Sequence, residues 1–260
     1  MHQTDNLLVT IERQFPAKYR EYYGIKRQNF FAGVTQFPEF WSCCMSLDDI
    51  FMHEFDHIRI ISDPHKAIPL MLFAHAHAQF RIYLELSFAG SFCEAFNIAQ
   101  MAIESSYQAR KILSEPALQK VWSRKARDKV ASDEFEKNFD FHKKNNYAAL
   151  VLAGLHTYWK RFSLWSHPSV TALSQRFKPD KVMYFETDRK TKGEYLFQLI
   201  WVSFKIENAL FDGYASQLKS DDELEQKRKQ FCIDADKARI GFIKTFQLLK
   251  PANPLGFPYA

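Results

Sequence analysis

The chain has 260 residues, which is long enough to bury a hydrophobic core without disulfides or metal ions and allows one or two domains. Glycine contributes only 8 residues, and neither GxGxxG nor GxxxxGK(S/T) occurs, which excludes the two common glycine-loop nucleotide sites. The formal net charge of +5 is too small to indicate a nucleic-acid partner by itself.

Three features of the sequence predict the subcellular location of the protein: its cysteines, its amino-terminal residues and its apolar segments. The 4 cysteines include the adjacent pair Cys43 and Cys44, which is a poor disulfide framework. The first residues lack the basic and apolar regions of a signal peptide. The longest apolar region, 69–96, is interrupted by charged residues, so no transmembrane helix is expected. We therefore expect a cytoplasmic protein with no membrane partner.

Helix start and stop signals follow one another at short intervals along the chain. Capping residues or a first-turn proline indicate the starts, and glycine or proline the ends. Apolar residues three and four apart, as in the third of these helices, favour helices over strands. The predicted helices span about 46–63, 69–89, 91–113 and 114–130, a short polar segment from 132, and then about 147–165, 190–218 and 221–249.

These elements predict one all-α domain over residues 1–260, a single bundle of seven to nine helices. At most one short β-like segment is expected, near 182–185. The segments 147–155 and 195–210 are apolar on nearly all sides, which is typical of helices at the centre of a bundle. Glu207 lies on the apolar stripe of the second, so we expect a buried carboxyl group with an ion-pair partner.

His53, Glu54 and His57 form the pattern HExxH, which is typical of zinc hydrolases. Two histidines four residues apart lie on one face of a helix and can share a zinc ion, each nitrogen about 2.1 Å from it. The glutamate between them is the base that polarises the metal-bound water. Zinc at His53 and His57, with Glu54 as base, is therefore one hypothesis for the function.

The helical projection of the same residues favours a structural role. Glu54 lies near the centre of the apolar face, His57 lies at its edge, and His53 lies farther round, towards solvent. No third ligand occurs at a familiar spacing, and Glu85 and Glu94 are the convenient carboxylates on the following helices. Glu54-x-x-His57 is also half of a carboxylate di-iron pattern, but the chain has no second ExxH. The alternative is a histidine pair beside a buried, paired Glu54.

A second set of motifs lies in the middle of the chain. Arg161 and His167 have the Arg–His spacing of HEPN ribonucleases, in which the two side chains act around a scissile phosphate. Three short segments around them resemble a group of bacterial all-helical proteins close to the HEPN-like bundles. These segments are Ala102–Tyr107, Leu113–Leu118 and Trp165–Ser169. The resemblance covers about residues 90–215.

The resemblance implies a helical bundle in which Glu104 and His167 lie near each other, and it implies RNA or nucleotide binding or ribonuclease activity. Arg161, His167 and Glu104 would then be the catalytic residues. The chain departs from the pattern at Phe162, where the ribonucleases have a polar residue, and this puts nuclease chemistry in doubt. The alternative role for His167 is a cap at the C-terminal end of a helix, before Pro168.

A basic stretch and the helix surfaces leave two further hypotheses open. Residues 120–129 carry five basic side chains and one acidic one, with Trp122 among them, which suits phosphate contact and base stacking. Charged runs on exposed helices also simply keep a face solvated. The exposed faces of a phenylalanine-rich bundle could pack a second copy of the chain, so a homodimer is possible. A non-enzymatic helical interaction protein, in which all of these residues are structural, is the third hypothesis for the function.

Overall fold

The computed structural model of the protein describes residues 16–59, 64–142, 152–166, 177–178, 181–182 and 184–246. Ten α-helices account for most of these residues, so the predicted all-α class is confirmed. Eight of the ten described helices have ten or more residues, in agreement with the predicted seven to nine. The first half of the chain contains α1 Ala17–Gln36, α2 Pro38–His57, a 3₁₀ turn at Pro64–Lys66, α3 Ala67–Phe88, α4 Phe92–Ser114, α5 Leu118–Arg124 and α6 Lys129–Asn138.

The second half begins with one helix and a small hairpin and ends with the two longest helices of that half. Its elements are α7 Leu155–Ser166, β1 Phe177–Lys178, β2 Lys181–Val182, α8 Arg189–Gly213, α9 Ala215–Leu218 and α10 Asp222–Thr245. The two strands pair antiparallel, with Phe177 opposite Val182. The expected β-like segment near 182–185 is therefore the hairpin, displaced by a few residues towards the amino terminus.

Aspartate caps explain where three helices begin. The side chains of Asp128, Asp188 and Asp221 each accept a hydrogen bond from the backbone N–H three residues later, at the start of α6, α8 and α10. The cap at Asp128 also corrects one prediction, because it separates the expected helix over 114–130 into α5 and the start of α6.

One predicted helix start was wrong, and one predicted capping hydrogen bond is not made. The helix predicted from residue 46 begins at Pro38, with proline in its first turn, and the capping-box residues lie inside it. Ser91 does precede α4, but its side chain makes no capping hydrogen bond. No start signal predicted α1, which has no capping side chain and follows Pro16 directly.

The long helix α8 lies at the centre of the bundle, as its apolar sequence predicted. It packs against α2, α3 and α4, and thirteen of its residues are buried. The most extensive helix–helix contact joins α3 and α4, while α7 packs on α4 and α10 packs on α2. Nearly all of the buried hydrophobic side chains of the described residues form one core cluster. The other segment predicted to be central, 147–155, lies mostly outside the described residues.

Glycine is required where α1 meets the rest of the bundle. A Cβ atom at Gly33 would overlap the carbonyl oxygen of Phe88 at the end of α3, and it would lie 2.9 Å from Lys192 Nζ of α8. Burial lowers the pKa of Lys192 to about 8. The absence of a side chain at Gly33 thus allows α1 to approach the end of α3 closely.

Among the described residues, no helix is both long enough and apolar enough to cross a bilayer.

Candidate functional site

The HExxH residues of α2 point in two directions. Glu54 is completely buried, whereas His53 and His57 lie on a different face, with their imidazole rings stacked 4.3 Å apart. The expected order of exposure of the two histidines was wrong: the side chain of His53 is 10% exposed and that of His57 is 50% exposed. The reason is the neighbouring helix α10, whose first turn covers His53.

Asp221, the capping residue of α10, supplies a third side chain that could bind a metal ion, which the sequence did not reveal. Its Oδ2 lies 2.7 Å from His53 Nε2 and 3.9 Å from His57 Nε2. Ligand atoms of the three residues all lie within 4.8 Å of one another, and they form the one such cluster found in the described parts of the chain. The cap signal at Asp221 was visible in the sequence, but the packing of α10 on α2 was not.

In two of these side chains, the polar atom that does not face the cluster forms a hydrogen bond with the backbone. His57 Nδ1 donates to the backbone carbonyl of His53 over 2.8 Å, which leaves Nε2 as the lone-pair nitrogen. Asp221 Oδ1 accepts the N–H of Leu224 over 3.0 Å, which leaves Oδ2 facing the histidines. Such anchoring of the non-ligating atom fixes the orientation of side chains in metal sites.

His53 has a different environment at its second nitrogen. Lys227 Nζ lies 3.3 Å from Nδ1, and Glu223 Oε1 lies 3.7 Å from it. The lysine can donate to Nδ1 when Nε2–H donates to Asp221, while the carboxylate can accept Nδ1–H when Nε2 binds a cation. Lys227 is itself held by Asp49, 3.0 Å away, and by Glu223, 3.1 Å away.

The separations are close to those of a tetrahedral centre. Ligand atoms about 2.1 Å from a zinc ion lie about 3.4 Å from one another, between the 2.7 Å and 3.9 Å observed here. The separations of Asp221 Oδ2 from the two histidine nitrogens thus bracket the value expected around a zinc ion. The hydrogen bonds to Asp221 from the Leu224 backbone and from His53 hold the pKa of this carboxyl group below its usual value, so it is an anionic ligand at neutral pH.

Glu54, the expected base, belongs to a separate buried cluster. It lies against Glu207 of α8, and Arg228 Nε of α10 lies 2.7 Å from Glu207 Oε1. Arg228 also donates to Asn208 Oδ1 over 2.7 Å, and its guanidinium group stacks 3.7 Å over the ring of Phe211. The prediction of a buried Glu207 with an ion-pair partner is thus confirmed, and Glu54 shares that partner.

The ionisation of this cluster follows from burial. Burial, and then the charge of Glu207, raise the pKa of Glu54 well above its usual value, with Arg228 opposing them. Burial also raises the pKa of Glu207, while Arg228 and the hydrogen bond from Glu54 lower it. The shared proton therefore belongs to Glu54, and the negative charge to Glu207 beside Arg228. A protonated, inward-facing Glu54 cannot act as base for the histidine pair, and it shares no di-iron site with His57.

The residues of the Arg–His hypothesis do not meet among the described residues. Glu104 of α4 accepts the indole N–H of Trp159 over 2.8 Å, whereas Arg161, two residues farther along α7, is exposed and acts electrostatically on Tyr158 and Tyr195. Positions two apart on a helix face nearly opposite sides. His167 lies outside the described residues, so its expected approach to Glu104 stays a prediction.

The basic stretch 120–129 is exposed, but its aromatic residue is engaged. The indole N–H of Trp122 donates to Gln108 Oε1 over 2.6 Å. Lys125 Nζ lies 5.1 Å from the ring centres of both Trp122 and Phe135. Because the Trp122 ring is partly buried and its N–H is already bonded, this stretch presents charge to solvent more than it presents a free stacking surface.

No family model, curated protein or solved structure matches the chain. The resemblance to HEPN-like bundles therefore stays a prediction.

Proposed function

We propose that the protein binds one divalent transition-metal ion of the zinc class through His53, His57 and Asp221. The observation that carries this proposal is the convergence of His53 Nε2, His57 Nε2 and Asp221 Oδ2 at the contact between α2 and α10. Two imidazoles and one carboxylate suit zinc better than they suit calcium or magnesium, which prefer oxygen ligands alone.

Three protein ligands leave coordination positions open, as in catalytic rather than structural zinc sites. A zinc ion bound there would act as a Lewis acid and would lower the pKa of a coordinated water to about 7. Around it, Asp221 would supply negative charge, Glu223, whose Oε1 lies 3.7 Å from His53 Nδ1, would face the Nδ1–H as a hydrogen-bond acceptor, and Lys227 would add a positive charge at the rim. The class of chemistry is metal-assisted hydrolysis, without Glu54 as the base.

The test is the stoichiometry and affinity of zinc binding to chelator-treated protein, measured by titration calorimetry. Wild type should bind one equivalent, and His53→Ala and His57→Ala should each weaken binding at least tenfold. His75→Ala, which removes an exposed histidine of α3, should bind as wild type does. Less than a tenth of an equivalent in wild type would contradict the proposal.

Asp221→Asn separates the two roles of this residue. Asparagine is as good a helix cap as aspartate, so the helix content should not change. It has no negative charge for the metal, so zinc affinity should fall. Cobalt(II), which gives strong visible absorption in a tetrahedral site, should show that band in wild type and lose it in the variant. Equal zinc affinity in both proteins would remove Asp221 from the site.

A further inference from the structure

Helix α1 presents an exposed surface in which aromatic and arginine side chains alternate. Tyr23, Arg27 and Phe31 follow at four-residue steps and so lie along one stripe of the helix. Tyr23 and Phe31 are each more than half exposed, and the guanidinium carbon of Arg27 lies 5.9 Å from the centre of the Phe31 ring. Together with Arg20 and Glu85 they line a groove of about 800 Å³, which we call the α1 groove.

The charge of the α1 groove is positive and only partly neutralised. Lys26 pairs with Glu85 across the groove, at 2.9 Å. Among the described residues, Arg20 and Arg27 have no carboxylate within ion-pair distance. Two guanidinium groups thus remain beside two exposed rings.

These features discriminate between the partners that could cover the α1 groove. A second copy of the chain would bring the same arginines against one another, which is unfavourable. A helix that lies in a membrane surface separates its apolar and basic faces. In α1 the two kinds of side chain share one stripe, and Ile25 is exposed on another side. A partner with flat rings and regularly spaced negative charges matches the alternation.

We infer that the α1 groove binds single-stranded nucleic acid, with bases stacking on Tyr23 and Phe31 and phosphates contacting Arg20 and Arg27. Exposed rings beside cations are the features that bind single strands with little sequence preference. The basic stretch 120–129, which sequence analysis offered for this role, has more charge, but its Trp122 ring is partly buried and is held by a hydrogen bond to Gln108, whereas Tyr23 and Phe31 are more than half exposed.

The experiment is fluorescence anisotropy with a labelled mixed-sequence 20-nucleotide single strand, as DNA and as RNA, and with the corresponding DNA duplex. Wild type should bind both single strands more tightly than the duplex, with affinity that falls as salt increases. The double variant Tyr23→Ala and Phe31→Ala should bind at least tenfold more weakly. Arg27→Gln should also weaken binding, and it should reduce the slope of log affinity against log salt concentration by the amount expected for about one phosphate contact.

Two controls assign the effect to stacking and to this surface. Tyr23→Leu with Phe31→Leu keeps apolar groups but removes the planar rings, and it should lose as much affinity as the alanine variant. Lys120→Gln with Arg124→Gln removes two exposed charges from the basic stretch and should change affinity no more than about twofold. Circular dichroism should show unchanged helix content in every variant.

Several results would overturn the inference. They are the absence of single-strand binding in wild type, equal binding of the duplex, full affinity in the leucine variant, and a larger loss from the Lys120 and Arg124 substitutions. Association of wild type with phosphatidylserine vesicles, abolished by the alanine variant in place of nucleic-acid binding, would assign the α1 groove to a membrane surface.

Discussion

Two clusters of ionisable side chains join α2 to α10, and they differ in their access to water. In the buried cluster, Glu54 and Glu207 are completely buried and the Arg228 side chain beside them is 17% exposed, so the carboxyl groups depend on Arg228, and not on water, to balance their charge. The histidine cluster of His53, His57 and Asp221 opens to solvent on the His57 side. The buried cluster can therefore only stabilise the fold, whereas the histidine cluster can exchange a proton or a metal ion with solvent. Neighbouring residues of one HExxH string thus lie in two different environments.

The largest expected effect on stability comes from removing the arginine of the buried cluster. Arg228→Met leaves Glu207 and Glu54 without their cation, and removing one partner of a buried ion pair costs about 3–5 kcal/mol of unfolding free energy. Urea denaturation at pH 7.5 measures the loss, which should be smaller at pH 5, where both carboxyl groups can be neutral. Lys237→Met, on an exposed part of α10, should cost no more than about 0.5 kcal/mol. An equal loss of unfolding free energy in Arg228→Met and Lys237→Met would refute the pairing of Arg228 with the buried carboxyl groups.

A second effect depends on pH. Because burial raises the pKa of Glu54, the folded state keeps a proton that the unfolded chain releases above pH 4.5. The stability contributed by Glu54 is therefore fully present below pH 4.5 and declines as the pH rises towards the folded pKa, by at most about 1.4 kcal/mol per pH unit. Glu54→Gln removes this decline, so its stability relative to wild type should increase between pH 5 and pH 8.

The control for this pH dependence is Glu225→Gln. The hydrogen bond and charge of Lys229 lower the pKa of Glu225, so its contribution is lost only as the pH falls below 4.5. The difference in stability between this variant and wild type should stay constant from pH 5 to pH 8. Parallel curves for wild type and Glu54→Gln over the same range would show that Glu54 is ionised in the folded protein.

A smaller loss of unfolding free energy is expected from a change in the histidine cluster. Asp221→Ala removes the cap of α10 and should lower the unfolding free energy by about 1 kcal/mol in the absence of metal. Asp188→Ala, which removes the corresponding cap of α8, should cost about as much but leave zinc affinity unchanged. Thermal denaturation with and without zinc compares the two variants. A loss of zinc affinity in Asp188→Ala would mean that capping, and not ligation, explains the Asp221 result.

The smallest effect on the metal-free fold is expected for His57→Ala. The side chain is half exposed, so stability without zinc should change by no more than about 0.5 kcal/mol. With zinc at a hundred times the wild-type dissociation constant, wild type should gain about 2.7 kcal/mol, and the variant should gain much less. Equal stabilisation by zinc would exclude His57 as a ligand.

The fold was largely predictable because its signals are local. The cap at Asp221, the proline in the first turn of α3 and the apolar sequence of α8 each depend on residues within a few positions of one another. α1 escaped prediction because it has no capping side chain and its exposed face carries aromatic residues. Its helical state depends on packing against α3, which no short segment of sequence encodes.

The site was predictable only in part. The spacing of His53 and His57 correctly placed both rings on one helix face, and the periodicity correctly buried Glu54. The partner Asp221 lies 168 positions from His53, and only the packing of α10 on α2 brings them together. The same packing reversed the expected exposure of the two histidines. Helical projection treats one helix alone, and therefore cannot identify the surface that a second helix covers.

The close contact at Gly33 has a consequence for genetic analysis of the protein. Even the methyl group of alanine at this position would meet the end of α3 and force α1 to shift. The shift would alter the α1 groove, whereas α2 and α10 hold the histidine cluster through contacts of their own. We therefore expect Gly33→Ala to separate the two proposed functions: a cell carrying it should keep the proposed metal centre and lose the surface on α1.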